Sequence, residues 1–304
     1  MTELPLDQVR TLLAVVDEGT FDAAAGALHV TPSAVSQRVK ALEQRTGRVL
    51  LMRTKPVRPT ESGEIVVRFA RQLARLERDA HDELGMTGSG EPTRLSIAVN
   101  SDSLATWFLP ALTRVPQELR LSFELLREDE GRTAALLREG LVMAAVTSSP
   151  DPVTGCSVRP LGRMRYLPVA SPGFAEKWLC GLATPLREVI ADAPVVAFDR
   201  HDELQDRFVR TLRRGHRASA LRHYVPTSEG YVDAVAAGMG WGLVPEVQAA
   251  PLLRAGRLVR LDADRIVAVP LFWQQWKLDF PALAAVADTV AAAAALALDS
   301  GQRT

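Results

Sequence analysis

The 304-residue sequence predicts a chain that is α+β overall. It should hold an N-terminal winged helix-turn-helix, a long linker helix and a C-terminal α/β half of two subdomains. Three observations carry this expectation. Residues 21–40 read as a short helix, a tight turn and a second helix. After Thr60, apolar residues recur at three- and four-residue steps for roughly five or six turns. Beyond Pro92, short apolar runs alternate with amphipathic ones, the rhythm of strands and helices in a parallel sheet.

The head opens with an apolar helix. Leu6, Val9, Leu12, Leu13 and Val16 share one face, Gly19 stops it, and Thr20 restarts the chain. Ala23, Ala24, Ala25, Ala27 and Leu28 form the next helix, and His29-Val30 is the turn. Thr31 is a good N-cap, and Pro32 fits the first helical position, where no N–H is needed. Val35, Val39 and Leu42 fall at i, i+4, i+7 and form an apolar stripe along the second helix. The opposite face carries Ser33, Ser36, Gln37, Lys40 and Gln44. These short or flexible hydrogen-bonding groups, with one cation, suit base edges and phosphates in a major groove. A polar outer face is ordinary for an amphipathic helix, so the neighbouring segments decide the reading.

Thr46-Gly47 ends the second helix. The run RVLLMRTKPVRPT then reads as a short strand turning at Lys55-Pro56 and ending at Pro59, a wing that carries Arg48, Arg53, Lys55 and Arg58. The whole chain is neutral, with 36 basic and 36 acidic residues, yet residues 31–60 hold seven basic residues against one acid, Glu43. Such a stripe attracts a polyanion where the chain as a whole would not. The expected DNA-contacting residues are Ser33, Ser36, Gln37 and Arg38 at or near base edges, with Thr31 at the helix start. Lys40, Arg53 and Lys55 are expected on phosphates. Thr60 then caps the long helix, whose Ile65, Phe69, Leu73, Leu76, Ala80 and Leu84 form one stripe. That stripe reads as a dimer seam, because helix-turn-helix proteins usually bind paired half-sites.

Residues 86–92, MTGSGEP, are a hinge by composition. Strands are expected at 95–100, 119–126 and 141–146, with helices at 102–112 and 133–139 between them. A second set of strands is expected at 166–170, 195–198, 223–227 and 242–244, with helices at 203–212 and 229–237. The chain returns through 266–276 and closes with an Ala-rich helix. Two linked α/β subdomains leave a cleft suited to a small ligand. Ligands in such sheets sit beyond the carboxyl ends of strands, at helix N-termini. The candidate effector residues therefore follow strands or open helices: Ser101, Asp102 and Ser103; Glu128 and Asp129; Asp199 and Asp202; Ser228 and Glu229. A carboxylate-binding corner with several acids around one cleft suits an amino acid with a cationic side chain. Each of these residues is also an ordinary helix-cap type.

Other classes find little support. No Gly-x-Ser-x-Gly elbow, P-loop or dinucleotide fingerprint occurs, so no enzyme, catalytic residue or cofactor is expected. Gly238-Met239-Gly240-Trp241-Gly242 follows a helix and enters a strand, the wrong context for a phosphate loop. His201-Asp202-Glu203 with His216 and His223 matches no metal-ligand spacing. The Arg213–Arg217 run reads as a solvated turn. Cys156 and Cys180 lack ligand spacing and suit a reduced cytosol. Glu3, Pro5 and Asp7 interrupt any leader pattern. Residues 282–298 contain Asp288 and are Ala-rich, which suits a packed helix better than a membrane span. The expected location is the cytoplasm, without membrane contact.

The head resembles the N-terminal domain of LysR-type transcriptional regulators. The shared pattern is Thr20-Phe21, Ala23-Ala24, Leu28, Thr31-Pro32-Ser33-Ala34-Val35-Ser36, Leu42-Glu43, Gly47, Arg53 and Thr60-x-x-Gly63. Leu51 departs from it where the family often has Phe, at a packing position. The whole chain is similar to the subgroup controlling basic amino-acid export. That likeness rests on Asn100-x-Asp102-Ser103-Leu104-Ala105-Thr106-Trp107-Phe108-Leu109-Pro110, Glu128-Asp129-Glu130-x-Arg132-Thr133, residues 193–199 (APVVAFD) and Ser228-Glu229. The resemblance implies a periplasmic-binding-protein-like effector half, lysine or arginine as effector, an exporter gene as target, and a homodimer or homotetramer on double-stranded DNA. RNA polymerase is a further candidate partner. The expected organisation is a DNA-binding domain at 1–59, a linker helix at 60–86 and a hinge at 87–92. Subdomain I takes 93–164 with 266–304, and subdomain II takes 165–265. A LysR-type regulator with another small carboxylate effector stays open, as does an α/β binding protein or enzyme with an appended helix-turn-helix.

Overall fold

The computed structural model describes residues 4–83, 92–127, 130–179, 184–278 and 280–299. Its head follows the sequence pattern closely. Helix α1 (Leu6–Glu18) ends at Gly19, which takes a left-handed φ of 73° and accepts the Val57 N–H at 2.8 Å. Helix α2 (Phe21–Ala27) is capped by Thr20. Helix α3 (Pro32–Thr46) starts behind Thr31, whose hydroxyl accepts the Ala34 N–H at 3.3 Å. Val35, Val39 and Leu42 are buried with Val9, Leu12, Val15 and Ala24 in one core. Leu51, the departure from the family pattern, packs into the same core.

The wing pairs β1 (Leu51–Met52) antiparallel with β2 (Arg58–Pro59). The one acid of the basic stripe braces it: the Glu43 carboxylate accepts the Leu50 N–H at 2.8 Å and the Leu51 N–H at 3.4 Å. Thr60 caps the next helix by accepting the Gly63 N–H at 3.1 Å and donates to the Val49 carbonyl at 2.7 Å. A Cβ at Gly63 would stand 1.9 Å from the Leu50 carbonyl oxygen, so only glycine fits there. Helix α4 (Glu61–Glu83) has two apolar faces. Val66, Val67 and Ala70 close the head's core. Ile65, Phe69 and Leu76 lie exposed, Leu73 is half-buried, and Leu84 falls outside the described residues.

In the second half, β3 (Thr93–Val99) runs parallel to β4 (Leu121–Arg127) and β5 (Ala144–Thr147). The helix expected at 102–112 is interrupted. It comprises α5 (Ser101–Ser103), a wider π-helical turn over Leu104–Phe108, and α6 (Leu109–Leu112). Pro110 has no N–H to offer the ordinary helical ladder there. Helix α7 (Glu130–Glu139) crosses from β4 to β5.

The strand expected at 166–170 is much longer. Strand β6 (Cys156–Ala170) pairs antiparallel with β9 (Gly242–Pro245), β10 (Val259–Arg260) and β11 (Val267–Trp276). The sheet order is β10-β6-β11-β5-β3-β4, with β9 also beside β6. Its pattern is therefore mixed. The first half of β6 carries Pro160 and Gly162 and lacks a steady alternation of buried and exposed positions, which hides it in the sequence. Strand β6 runs through the expected boundary at 164/165, and β11 pairs with it along its whole length.

The sequence left α8 (Pro172–Trp178), α9 (Leu186–Val189), α12 (Glu246–Arg254), β10 and a short 3-10 turn at Gln117–Leu119 unread. Strand β7 (Val195–Ala197) pairs in parallel with β8 (Arg222–Tyr224). Helices α10 (Leu204–Leu212) and α11 (Ser228–Ala236) flank the second lobe. The Ala-rich α13 (Pro281–Ala297) buries Leu283, Val286, Val290 and Ala294. Among the described residues, no helix is long and apolar enough to cross a membrane.

Candidate functional site

The DNA-facing candidates lie on α3 and the wing. Ser33, Ser36, Gln37 and Lys40 are exposed on the side of α3 away from its buried stripe. Thr31 is partly engaged as cap, and its hydroxyl lies 3.0 Å from that of Ser33. Arg38 is half-buried, with Nε 3.9 Å from the Asp7 carboxylate of α1. Arg53 and Lys55 are exposed on the wing, and the Arg53 guanidinium sits 5.9 Å from the Phe21 ring centroid. This polar face is held rigidly from behind by the head's core and from the side by the Glu43 brace.

A cleft of about 450 Å³ opens between the two lobes of the second half. Ser101 and Asp102, from the end of β3, line one wall, and Asp199 and Asp202, from the end of β7, line the other. Tyr166, on strand β6, donates its hydroxyl to Asp102 at 2.7 Å. Ser228 joins the walls rather than lining them. Its N–H, at the start of α11, donates to the Ser101 hydroxyl at 3.2 Å. Ser103 is wholly buried, and Glu229 is exposed, neither of them on the cleft wall. Glu128 and Asp129 lie outside the described residues.

Burial pushes the Asp102 carboxyl above the usual carboxylate range, against hydrogen bonds from Ser228 and Tyr166 that lower it. The negative charges of Asp202 and Glu229 push it further up. A cation entering the cleft would offset that repulsion and favour the ionised form. The other wall is more heavily tied. Asp199 accepts the His201 N–H at 2.6 Å and the Asp202 N–H at 2.9 Å. Asp202 accepts from the Phe198 N–H, the Leu204 N–H and the Gln205 side-chain amide at 2.9 to 3.0 Å. These two carboxylates shape the β7–α10 loop as well as charging it.

Several lining residues carried no sequence signal. Tyr231 is a buried hub that donates to the Val196 carbonyl at 3.1 Å and accepts from Gln205 and the Leu243 N–H, each at 3.0 Å. Burial pushes its hydroxyl far above the ordinary tyrosine value, so it stays a neutral donor. Gln205 and Tyr166 reach the cleft only through tertiary pairing. The glycine run has a packing role. A Cβ at Gly240 would meet the Pro194 carbonyl oxygen at 2.9 Å, and one at Gly242 the Tyr231 hydroxyl at 2.6 Å. Among the described residues, no three His, Cys, Asp or Glu side chains converge as metal ligands would.

A DNA-reading head joined by a helix to a two-lobed, acid-walled cleft is the architecture of a ligand-responsive DNA-binding regulator. Residues 6–64 match the bacterial regulatory helix-turn-helix protein, lysR family, and residues 88–295 match the LysR substrate binding domain. The chain belongs to the LysR family of transcriptional regulators. It is 48% identical to the HTH-type transcriptional regulator LysG of Mycobacterium tuberculosis, over 94% of this chain and 92% of that protein. It is 42% identical to the lysine export transcriptional regulatory protein LysG of Corynebacterium glutamicum, over 94% and 97% of the two chains. A solved structure of full-length LysG from C. glutamicum with bound effector Arg superposes with a TM-score of 0.84 at 40% identity. That match covers 97% of this chain and 99% of the other.

Proposed function

We propose that this regulator binds promoter DNA as a homo-oligomer and takes a basic amino acid, lysine or arginine, into its cleft to control an exporter gene for those amino acids. Ser33, Ser36 and Gln37 read the groove, with Arg38 at its margin and Thr31 at the helix start. Lys40, Arg53 and Lys55 hold phosphates. The exposed Ile65, Phe69 and Leu76 of α4 form the dimer seam. In the cleft, Asp102 and Asp199 face the cationic end of the ligand, and Ser101, held in place by the Ser228 N–H at the start of α11, receives its carboxylate. Asp202 shapes the wall. Glu128 and Asp129, next along the chain from β4, add acidic charge. The protein works in the cytoplasm, without catalysis and without a cofactor.

The observation that carries the effector reading is the Asp102 carboxyl, buried and crowded by like charge in a cleft open to ligand. The effector named for the C. glutamicum structure supports it. Calorimetry on the full chain with lysine, arginine and leucine tests it. Lysine or arginine should bind at least about tenfold more tightly than leucine, the worth of one charge-assisted contact. Equal heats for leucine and lysine would contradict an acidic recognition site.

A further inference from the structure

The head docks on its own effector half where α7 meets the linker helix, and one turn further along α4 Arg75 lies over the Phe280 ring, 4.4 Å from its centroid. Parallel strands β3 and β4 end level with one another, Val99 opposite Arg127, and Asn100 to Asp102 beyond β3 line the cleft. Helix α7 follows β4, so it starts on the cleft side of the sheet and runs back toward the other end, a rod of about 15 Å. Its far end meets the linker helix. Gly140, with a left-handed φ of 73°, ends α7. A Cβ there would stand 3.3 Å from the Arg68 Cα, 3.3 Å from the Arg71 Cδ and 3.5 Å from the Trp276 ring. The glycine lets the two helices touch backbone to backbone. Arg71 closes the joint. One guanidinium nitrogen donates to the Glu139 carbonyl, and the other lies 2.5 Å from the Asp17 carboxylate of α1. Arg71 is mostly buried between them.

We propose that Arg71 is the coupling residue of the regulator, joining the end of α7 to Asp17 of the DNA-binding head so that a shift of α7 at the cleft is felt by α1. It touches neither DNA nor ligand and acts as a positioning residue. The planar fork suits this task, because one guanidinium makes two separate bonds in fixed directions, which an ammonium point charge cannot reproduce. Coupling of this kind requires that the two arrangements of α7 dock the head with different free energies. The proposal rests on the cleft being the effector site.

The test compares wild type with Arg71→Gln, Arg71→Lys and Asp17→Asn in the full chain. Calorimetry gives lysine affinity, and titration of an upstream DNA fragment gives DNA affinity with and without lysine. In Arg71→Gln, lysine affinity and ligand-free DNA affinity should stay within about threefold of wild type. The ratio of DNA affinities with and without lysine should fall toward one. Asp17→Asn should lower that ratio, and Arg71→Lys should keep part of it. An unchanged ratio in Arg71→Gln overturns the proposal. If wild type binds no lysine, the effector reading fails by itself, and amide hydrogen exchange judges the joint without ligand. Arg71→Gln should then raise exchange at residues 13–18 and 136–140 together, whereas unchanged exchange in both overturns it.

Discussion

The DNA face and the cleft are built in opposite ways. The DNA face takes all its candidate residues from residues 31–58, on one helix and the wing that follows it. The cleft collects its wall from positions between Asn100 and Pro270, on widely separated stretches of chain. A local site is written in short-range periodicity, because i, i+4, i+7 spacing fixes which side of α3 is buried and which is free. A dispersed site depends on sheet register and strand crossing, which periodicity does not encode. The difference also assigns the energetics. The head relies on close packing and one brace, so steric changes should harm it most. The cleft relies on charge, so electrostatic changes should harm it most.

The largest expected effect is steric. Gly63→Val pushes a side chain into the Leu50 carbonyl, 1.9 Å from the site of its Cβ. The backbone of the wing root cannot yield cheaply, and a cost of about 3 kcal/mol is expected from overpacking. Thermal denaturation of the head, together with loss of DNA binding, checks this. A head as stable as wild type would show that the wing can reseat.

The next effect tests the cleft. Asp102→Asn should weaken lysine binding by roughly tenfold or more, since a charge-assisted contact becomes a neutral one. Its effect on stability has the opposite sign. The folded Asp102 carboxyl holds its proton more tightly than an unfolded aspartate does. Its ionised form therefore weakens the fold at neutral pH, and that cost declines as pH falls below the raised folded value and is gone below the ordinary aspartate value. Asparagine removes the cost, so the variant should melt no lower than wild type at pH 7. Lysine affinity in wild type should fall in acid as Asp102 takes up its proton, and the variant should show a flatter pH profile. Calorimetry across pH 4 to 7.5 reads both. A variant that loses stability while keeping its lysine affinity would place Asp102 in the scaffold alone.

The smallest effect lies on the wing. Arg53→Ala should weaken binding to all DNA sequences alike and reduce the slope of log affinity against log salt by about one. A change in sequence preference would move Arg53 from phosphate to base edge.

How much of the molecule was legible in its sequence follows the same division. Thr31, Pro32, Val35, Val39 and Leu42 announce α3 because capping and stripe formation are local. Glu43 and Gly63 were visible as residues, but their roles were not. A carboxylate seven residues from its amide partner and a glycine under a distant carbonyl are tertiary facts. In the second half, strand ends pointed to Ser101, Asp102, Asp199 and Asp202, all of which line the cleft, since turns after parallel strands attract polar side chains. The same rule also selected Ser103 and Glu229, which lie off the wall, because a strand end does not say which way a helix will face. Tyr166 opened the strand expected at 166–170, but only the fold brings its hydroxyl to Asp102. Tyr231 and Gln205 carry ordinary helix patterns, and only the fold joins them into a hub.

The most direct measurement is titration of DNA from the protein's own upstream region over a range of salt, with lysine, arginine or leucine present. A head controlled by a basic amino acid should bind that DNA sequence-selectively, with an affinity of about 10⁻⁶ M or tighter, and should weaken steeply as salt rises. Lysine or arginine should change the affinity or the footprint, and leucine should not. Binding that ignores all three amino acids, or that is equally weak on any DNA, would contradict control of the head from the cleft.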